Sequence, residues 1–475
     1  MSKVILASQL PNQGKASLAP GLQQRHVTML SIAGVIGAGL FIGSGHAIAA
    51  AGPAVLLAYL IAGTLVVLVM RMLGEMAVAS PDTGSFSTYA DRAIGRWAGF
   101  TIGWLYWWFW VLVIPLEAIA AAAILHAWLP VVDTWIFALA VTFVLTATNL
   151  FSVARYGEFE FWFALLKILA IIAFIILGAV AIAGGLPDRE VSGIGTLIAS
   201  NGGFAPNGYS TVIGALLTTM FSFIGAEVVT IAASESKDPA RQITRATNSV
   251  VWRISLFYLV SIFVVVSIVP WNDPRLPEVG SFQRALELMD IPYAKMIVDV
   301  VVLIAVASCL NSAIYTSSRM VFSLADRGDA PALLKRTSSS QVPRAAVLAS
   351  TAVGFLTTIV NYFAPENVFA FLLASSGAVA LLVYLVIAVA QLRMRKQLLA
   401  SGKPIQFRMW LYPWLTWAVI LFIGGAFTSM LFLPAHRHEV LATALLTVLI
   451  VCLGLLNARR KPREKQGYAG RAASA

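Results

Sequence analysis

Twelve separate apolar runs dominate the chain, and each can cross a lipid bilayer as a helix. A hydrocarbon core needs about 20 apolar residues per helix. The runs fall near 27–50, 53–73, 98–125, 133–151, 160–184, 210–233, 251–270, 293–318, 345–362, 367–390, 411–433 and 439–457. In lipid a segment must satisfy its own backbone polar groups, which a helix does. The predicted fold class is an all-α integral membrane protein with 12 transmembrane helices. Composition agrees: 59% of the 475 residues are hydrophobic and only 12% are charged, about half the charged share of a soluble domain. That balance excludes a disordered, collagen-like or disulfide-rich secreted chain. Cys309 and Cys452 lie in apolar runs without zinc or CxxC spacing. Residues 1–26 hold Pro11, Asn12 and Pro20 but no apolar core, so they read as a tail, with the first run retained as a helix.

The net charge of +11 suggests nucleic acid on a soluble protein, but here position decides its meaning. With both termini in the cytoplasm, 27 of the 33 cations fall in inner segments. Five fall outside (Arg189, Arg275, Arg284, Lys295 and Arg437), and Lys167 lies within a run. Cytoplasmic loops are enriched in Lys and Arg, so the charge reports orientation and no nucleic acid partner is expected. The basic tail also suits anionic membrane lipid. No segment outside the runs exceeds about 30 residues, too few for a soluble catalytic domain. Residues 80–96 read as a polar, partly amphipathic cytoplasmic connection and 324–344 as a second long inner loop.

Two runs are interrupted. The first contains Gly34, Gly37, Gly39, Gly43 and Gly45 within twelve residues. Each glycine costs a helix about 1 kcal/mol relative to alanine. In a membrane such glycines serve close packing, as in Gly39-xxx-Gly43, or local unwinding. The sixth run reads Phe221-Ser-Phe-Ile-Gly225-Ala-Glu227, and its Ile224-Gly225-Ala226 repeats Ile36-Gly37-Ala38 of the first. The two runs lie five spans apart and so cross in opposite directions. Matching interruptions in two inverted halves point to a transporter binding site. An unwound middle leaves N–H groups on one half-helix and C=O groups on the other. The N–H cluster suits a carboxylate and the C=O groups suit an ammonium, so a zwitterionic amino acid fits both.

Few charges sit inside the runs. Lys167, a third of the way along its span, either snorkels to the interface or couples transport to a proton. Glu117, after Pro115, reads as a proton-relay group or a structural acceptor. Glu227 reads as an acceptor for loose N–H groups beside the second break. Arg71 and Glu75 are four apart and read as an interfacial pair. Glu158 and Glu160 suit the start of a helix and need no further role. The aromatic run Trp104 to Trp110 reads mainly as packing. Asn311, Ser312, Ser375 and Ser376 read as interhelical hydrogen-bonding groups. The five histidines form no HExxH, and no metal or cofactor is expected.

These motifs together resemble the bacterial amino acid transporter family of the amino acid–polyamine–cation superfamily. The resemblance rests on the glycine-rich first run, Gly74-Glu75-Met76, 81–86 (PDTGSF), 157–162 (GEFEFW), 221–227 (FSFIGAE) and 311–319 (NSAIYTSSR), and covers about 22–460. Within the family, 96–117, 391–395 and 408–414 are similar to members that carry γ-aminobutyrate. The resemblance implies a LeuT-like five-plus-five inverted-repeat core plus two C-terminal helices. The halves would be 27–184 and 210–390, followed by 411–457 and a basic tail at 458–475. It implies proton-coupled import of a small amino acid, γ-aminobutyrate foremost, in the bacterial inner membrane. β-Alanine, proline, cationic and aromatic amino acids are alternative substrates, and amino acid exchange is an alternative mode. It places Ile36, Gly37, Ala38 and Gly39 beside the substrate carboxylate. It places Phe221, Ser222, Phe223, Ile224 and Gly225 at the second break and an aromatic gate. Lys167 matches a lysine standing where sodium-coupled relatives bind sodium, so Lys167 and Glu117 are the expected proton-coupling residues. A channel lacks a filter motif here, and an intramembrane enzyme lacks a nucleophile–base constellation.

Overall fold

A computed structural model describes residues 36–82, 85–151, 153–185, 202–228, 230, 238–291, 293–338, 342–363, 365–402, 404–434 and 437–460, with the single positions 25, 29 and 195. The expected tails, 1–26 and 458–475, lie almost wholly outside these residues, as do Gly34 and the outer cation Arg189. Among the described residues every regular element is a helix. A π-helical turn, Gly39–Gly43, leads into α1, Ser44–Ala51. α2 is Val55–Ala79, α3 Ser85–Ala93, α4 Arg96–Trp128, α5 Thr134–Asn149 and α6 Val153–Ile182. α7 is Ser210–Phe223, and α8, Pro239–Arg253, continues through a π-helical stretch, Ile254–Val260, into α9, Ser261–Ile268. Two short helices follow, α10 Leu276–Val279 and α11 Ser281–Met289. α12 is Ala294–Asp326, α13 Arg344–Phe363, α14 Pro365–Ala400, α15 Trp414–Phe432 and α16 Arg437–Arg460.

All twelve apolar runs carry helix. Eight helical runs are long and apolar enough to cross a membrane, and α5, α7 and most of α13 are shorter apolar helices. The run Gly39–Ala79 holds two expected spans, separated at Gly52, where φ is 63°. Pro115 stays inside one helix, as expected. The centre and the rim separate by burial. The most apolar windows of α4 and α14 are each 78% buried, against 28% for α15 and 22% for α16. α4 packs along α12, α5 and α14. α15 and α16 expose Trp414, Leu421, Phe432 and Leu445, the apolar outer face that lipid requires.

Three sequence readings are corrected. Residues 80–96 are more than a polar link: α3 buries Phe86, Tyr89 and Ala90 against α4 and α14. Its apolar positions sit on one helical face among polar residues, so window-averaged hydropathy misses it. Glu75 is no interfacial partner of Arg71. It is buried and accepts from Arg395 at 2.6 Å, Gln391 at 2.9 Å and the Met409 N–H at 2.6 Å. Arg71 instead stacks over Phe407 and Trp410 and donates to the Arg408 carbonyl. Both partners come from the 405–410 segment, which four-residue spacing cannot reveal. Asn311 does bridge helices, accepting from Asn149 at 2.6 Å. The hydroxyls of Ser375 and Ser376 find no partner among the described residues.

The closest packing is tested at Gly377 of α14, where a Cβ would stand 2.0 Å from the Leu217 carbonyl oxygen of α7. Gly377→Ala is expected to lower stability by about 1–3 kcal/mol through overpacking. Gly424→Ala, where nothing lies within 4 Å, is expected to cause no loss. Thermal unfolding of the two purified variants in detergent compares them.

Candidate functional site

Both interruptions fall where the repeated Ile-Gly-Ala stands. Ile36 and Gly37 are not helical, and the chain resumes as the π-helical turn from Gly39. In the second, α7 ends at Phe223 and Ile224 is extended, with φ −67° and ψ 143°. Gly225 has φ 106°, a left-handed conformation that glycine adopts without a steric penalty.

Each break holds a buried carboxylate. The Ala38 N–H donates to Glu117 of α4, at 3.0 Å to Oε2 and 3.2 Å to Oε1. The Gly225 N–H donates to both oxygens of Glu227 at 3.1 Å. Tyr106 of α4 donates to Glu227 at 2.9 Å, and Tyr384 of α14 lies 3.5 Å away. One helix therefore reaches both breaks. An unpartnered buried N–H costs about 1–3 kcal/mol, so these carboxylates stabilise the interruptions.

The opposite polarity of the first break is met by Lys167 of α6. Its Nζ donates to the Ile36 carbonyl at 3.2 Å and to Ser308 Oγ of α12 at 2.9 Å. The lysine is 0% exposed, which removes the snorkelling reading. Ser308 donates onward to Glu160 Oε2 at 2.8 Å. Glu160 is buried too, so its expected role as a helix-start acid is corrected. Glu158 is not a helix-start acid either: α6 begins at Val153 with no acid in its first turn, and Glu158 is partly exposed and paired with Arg25. Glu160 precedes Lys167 by seven residues, two helical turns, which puts both on one face. That spacing is the signal the sequence offered.

A narrow cavity of about 10 Å³ lies between the breaks, room for about one water molecule. Gly39, Phe109, Trp110, Val113, Glu117, Phe221, Ile224 and Cys309 line it. Gly39, Phe221, Ile224 and Glu117 were candidates from the sequence. Phe109 and Trp110 belong to the aromatic run that reads mainly as packing, with pocket contact as its alternative; Val113 and Cys309 carry no sequence signal, because apolar residues in a span look like packing. A Cβ on Gly37 would stand 2.6 Å from Glu117 Oε1, and one on Gly39 2.8 Å from the Phe221 ring. These two glycines allow α4 and the second break to approach the first. Ser222 is buried next to Gly39. Phe223 does not line the cavity; its ring packs 5.9 Å from Tyr59 and 4.5 Å from Tyr258.

Two breaks at the repeated Ile-Gly-Ala, facing each other across a narrow cavity in a bundle of apolar helices, are the arrangement of a secondary transporter. The amino acid permease family model matches residues 26–466, and the chain belongs to that family. It is 84% identical to a Pseudomonas aeruginosa protein named probable GABA permease, covering 100% of both chains. It is 65% identical to the γ-aminobutyric acid permease of Escherichia coli, over 94% of this chain and 95% of that one. The fold is shared with the Eremococcus coleocola manganese transporter, with TM-score 0.54 and 14% identity over 92% of this chain and 94% of that one.

The bond from Tyr106 to Glu227 carries a stability test. Tyr106→Phe leaves a buried carboxylate short of a donor and is expected to cost about 1–3 kcal/mol. Thermal unfolding in detergent measures it. Trp104→Phe, which removes a donor to the Asp329 carbonyl at the rim of the bundle, is expected to cost less.

Proposed function

We propose that this protein imports γ-aminobutyrate together with a proton by alternating access at the two broken helices. The observation that carries the coupled mechanism is the Lys167 ammonium bound to the Ile36 carbonyl inside the first break. The substrate reading is supported by the relatives named as permeases of that compound, the first of which is 84% identical over the whole chain. The family membership gives the amino acid class.

γ-Aminobutyrate presents a carboxylate and an ammonium at opposite ends. Its carboxylate is assigned to the N–H groups of Gly37, Ala38 and Gly39. It competes there with Glu117, which holds the Ala38 N–H. Glu117 faces the same cavity, so once displaced it is placed to receive the substrate ammonium. Phe221 and Ile224 close the cavity from the second break, and Ser222, Phe223 and Gly225 set its backbone course. Lys167 in its charged form ties α6 to the first break. The loaded, protonated carrier rocks with this tie in place; after the substrate has left, loss of the Lys167 proton removes the charge that holds the Ile36 carbonyl and frees the empty carrier to return. The cation distribution supports an inner-membrane orientation with both ends of the chain in the cytoplasm.

Co-transport of one proton with a zwitterion moves one net charge, and 100 mV then contributes about 2.3 kcal/mol. Proteoliposomes holding the purified protein are expected to accumulate labelled γ-aminobutyrate when an inward proton gradient is imposed. Lys167→Ala is expected to abolish that accumulation. Competition by β-alanine, proline and lysine tests the substrate. Displacement by lysine or proline but not by unlabelled γ-aminobutyrate contradicts the assignment. Uptake indifferent to the gradient contradicts the coupling.

A further inference from the structure

Glu160 has no part in substrate binding, yet it lies in an unbroken hydrogen-bonded chain with Lys167. Lys167 Nζ donates to Ser308 Oγ at 2.9 Å, and Ser308 Oγ donates to Glu160 Oε2 at 2.8 Å. All three side chains are buried. Their order along the fold has a direction. Lys167 lies beside the first break, while Glu160 is about 10 Å nearer the start of α6, at 1.5 Å per residue. Two residues before it stands Glu158, with 45% of its side chain exposed and paired with Arg25. The chain thus runs from the buried lysine to the rim of the bundle at the α6 N-terminus.

Two acids flank the lysine and differ in what they face. Glu117 binds the Ala38 N–H and lines the substrate cavity. Glu160 lines no part of that cavity. Among the described residues, Cys309 is a third titratable group beside Lys167, and Asn311 and Ser312 of α12 lie beside Glu160 with Ser308. A buried carboxylate that only neutralised Lys167 would gain most by direct contact. Glu160 instead meets it through a hydroxyl, which both accepts and donates a proton.

We infer that Glu160 accepts the coupling proton from Lys167 through Ser308 and releases it on the cytoplasmic side. In the transfer, a Lys167 N–H bond breaks as Ser308 Oγ takes that proton. The original Ser308 proton passes to Glu160 Oε2. A neutral amine, an unchanged hydroxyl and a neutral carboxylic acid result, with no atom gained or lost. Glu160 then gives the proton to water at the mouth of α6, beside Glu158 and Arg25. Ser308 and Glu160 touch no substrate and are proton-relay residues.

The inference rests on the proton-coupled reading, and the experiment separates the two. Wild type, Glu160→Gln, Glu160→Asp and Ser308→Ala are reconstituted in proteoliposomes carrying an internal pH dye. Three quantities are read: gradient-driven accumulation of labelled γ-aminobutyrate, proton influx, and counterflow against internal substrate. Counterflow by a carrier that stays protonated requires no proton release. Glu160→Gln and Ser308→Ala are expected to lower accumulation and proton influx by about tenfold or more. Counterflow is expected to fall by no more than about twofold, and Glu160→Asp to restore accumulation with a shifted pH profile. Should Glu160→Gln fail to fold, Ser308→Ala, which removes one hydroxyl, carries the test. Equal losses of counterflow and accumulation in Ser308→Ala would show a structural role and overturn the inference. Wild-type accumulation in both variants would overturn it as well, leaving proton coupling intact. Absence of gradient-driven accumulation in wild type would overturn the proton-coupled reading itself.

Discussion

A broken helix inside a membrane exists only if something answers its free backbone groups. Here the answer to the first break is a pair of opposite charges. The Ala38 N–H meets Glu117, and the Ile36 carbonyl meets Lys167. Two residues apart on the chain, the donor end and the acceptor end are held by different helices, α4 and α6. The second break is held by Glu227, itself fixed by Tyr106 of α4. An intramembrane charge is costly, by at least about 2.5 kcal/mol on insertion scales. These charges are tolerated because each one satisfies backbone that would otherwise be orphaned.

The same arrangement explains why the site is suited to transport. A backbone held by side-chain charges can be released by neutralising one of them, whereas a continuous helix cannot. The Ala38 N–H is the donor that Glu117 holds and, in the proposed binding mode, the donor a substrate carboxylate takes over, which links binding to rearrangement of α4 at one atom. The glycines at 37 and 39 keep the distances short enough for that exchange. At the cytoplasmic ends proposed for α2, α4 and α12, buried polar clusters do a different task. Glu75 gathers Arg395, Gln391 and the Met409 N–H, and Asp329 gathers Arg96 and Asn457. They fasten α14 to α2, and α16 to α4, around the moving centre.

Much of this was legible in the sequence. Hydropathy located a helix in each of the twelve apolar runs because in lipid a long apolar run has one stable fold. The repeated Ile-Gly-Ala located both breaks, since glycine at a membrane midplane has few other uses. Lys167 is conspicuous as the cation set deepest inside a run, and its bond to the first break follows from its charge. What stayed hidden depends on tertiary distance. Glu75 takes its partners from residues more than 300 positions away, which no local spacing encodes. The partly amphipathic character of 80–96 is legible, but the depth to which α3 buries Phe86 and Tyr89 depends on α4 and α14 and is not. Glu158 and Glu160 read as helix-start acids because the sequence does not show that α6 begins as early as Val153. Only the position of Ser308, on α12, distinguishes the two.

The central claim is that one backbone group, the Ala38 N–H, passes from Glu117 to the substrate. A cryo-electron microscopy structure of the protein in nanodiscs with saturating γ-aminobutyrate tests it most directly. The expected result is a substrate carboxylate within hydrogen-bonding distance of the Ala38 N–H, with Glu117 turned away from it toward the ammonium. Substrate bound between the breaks while Glu117 still holds the Ala38 N–H at its present 3.0 Å, or substrate bound elsewhere, would contradict the claim.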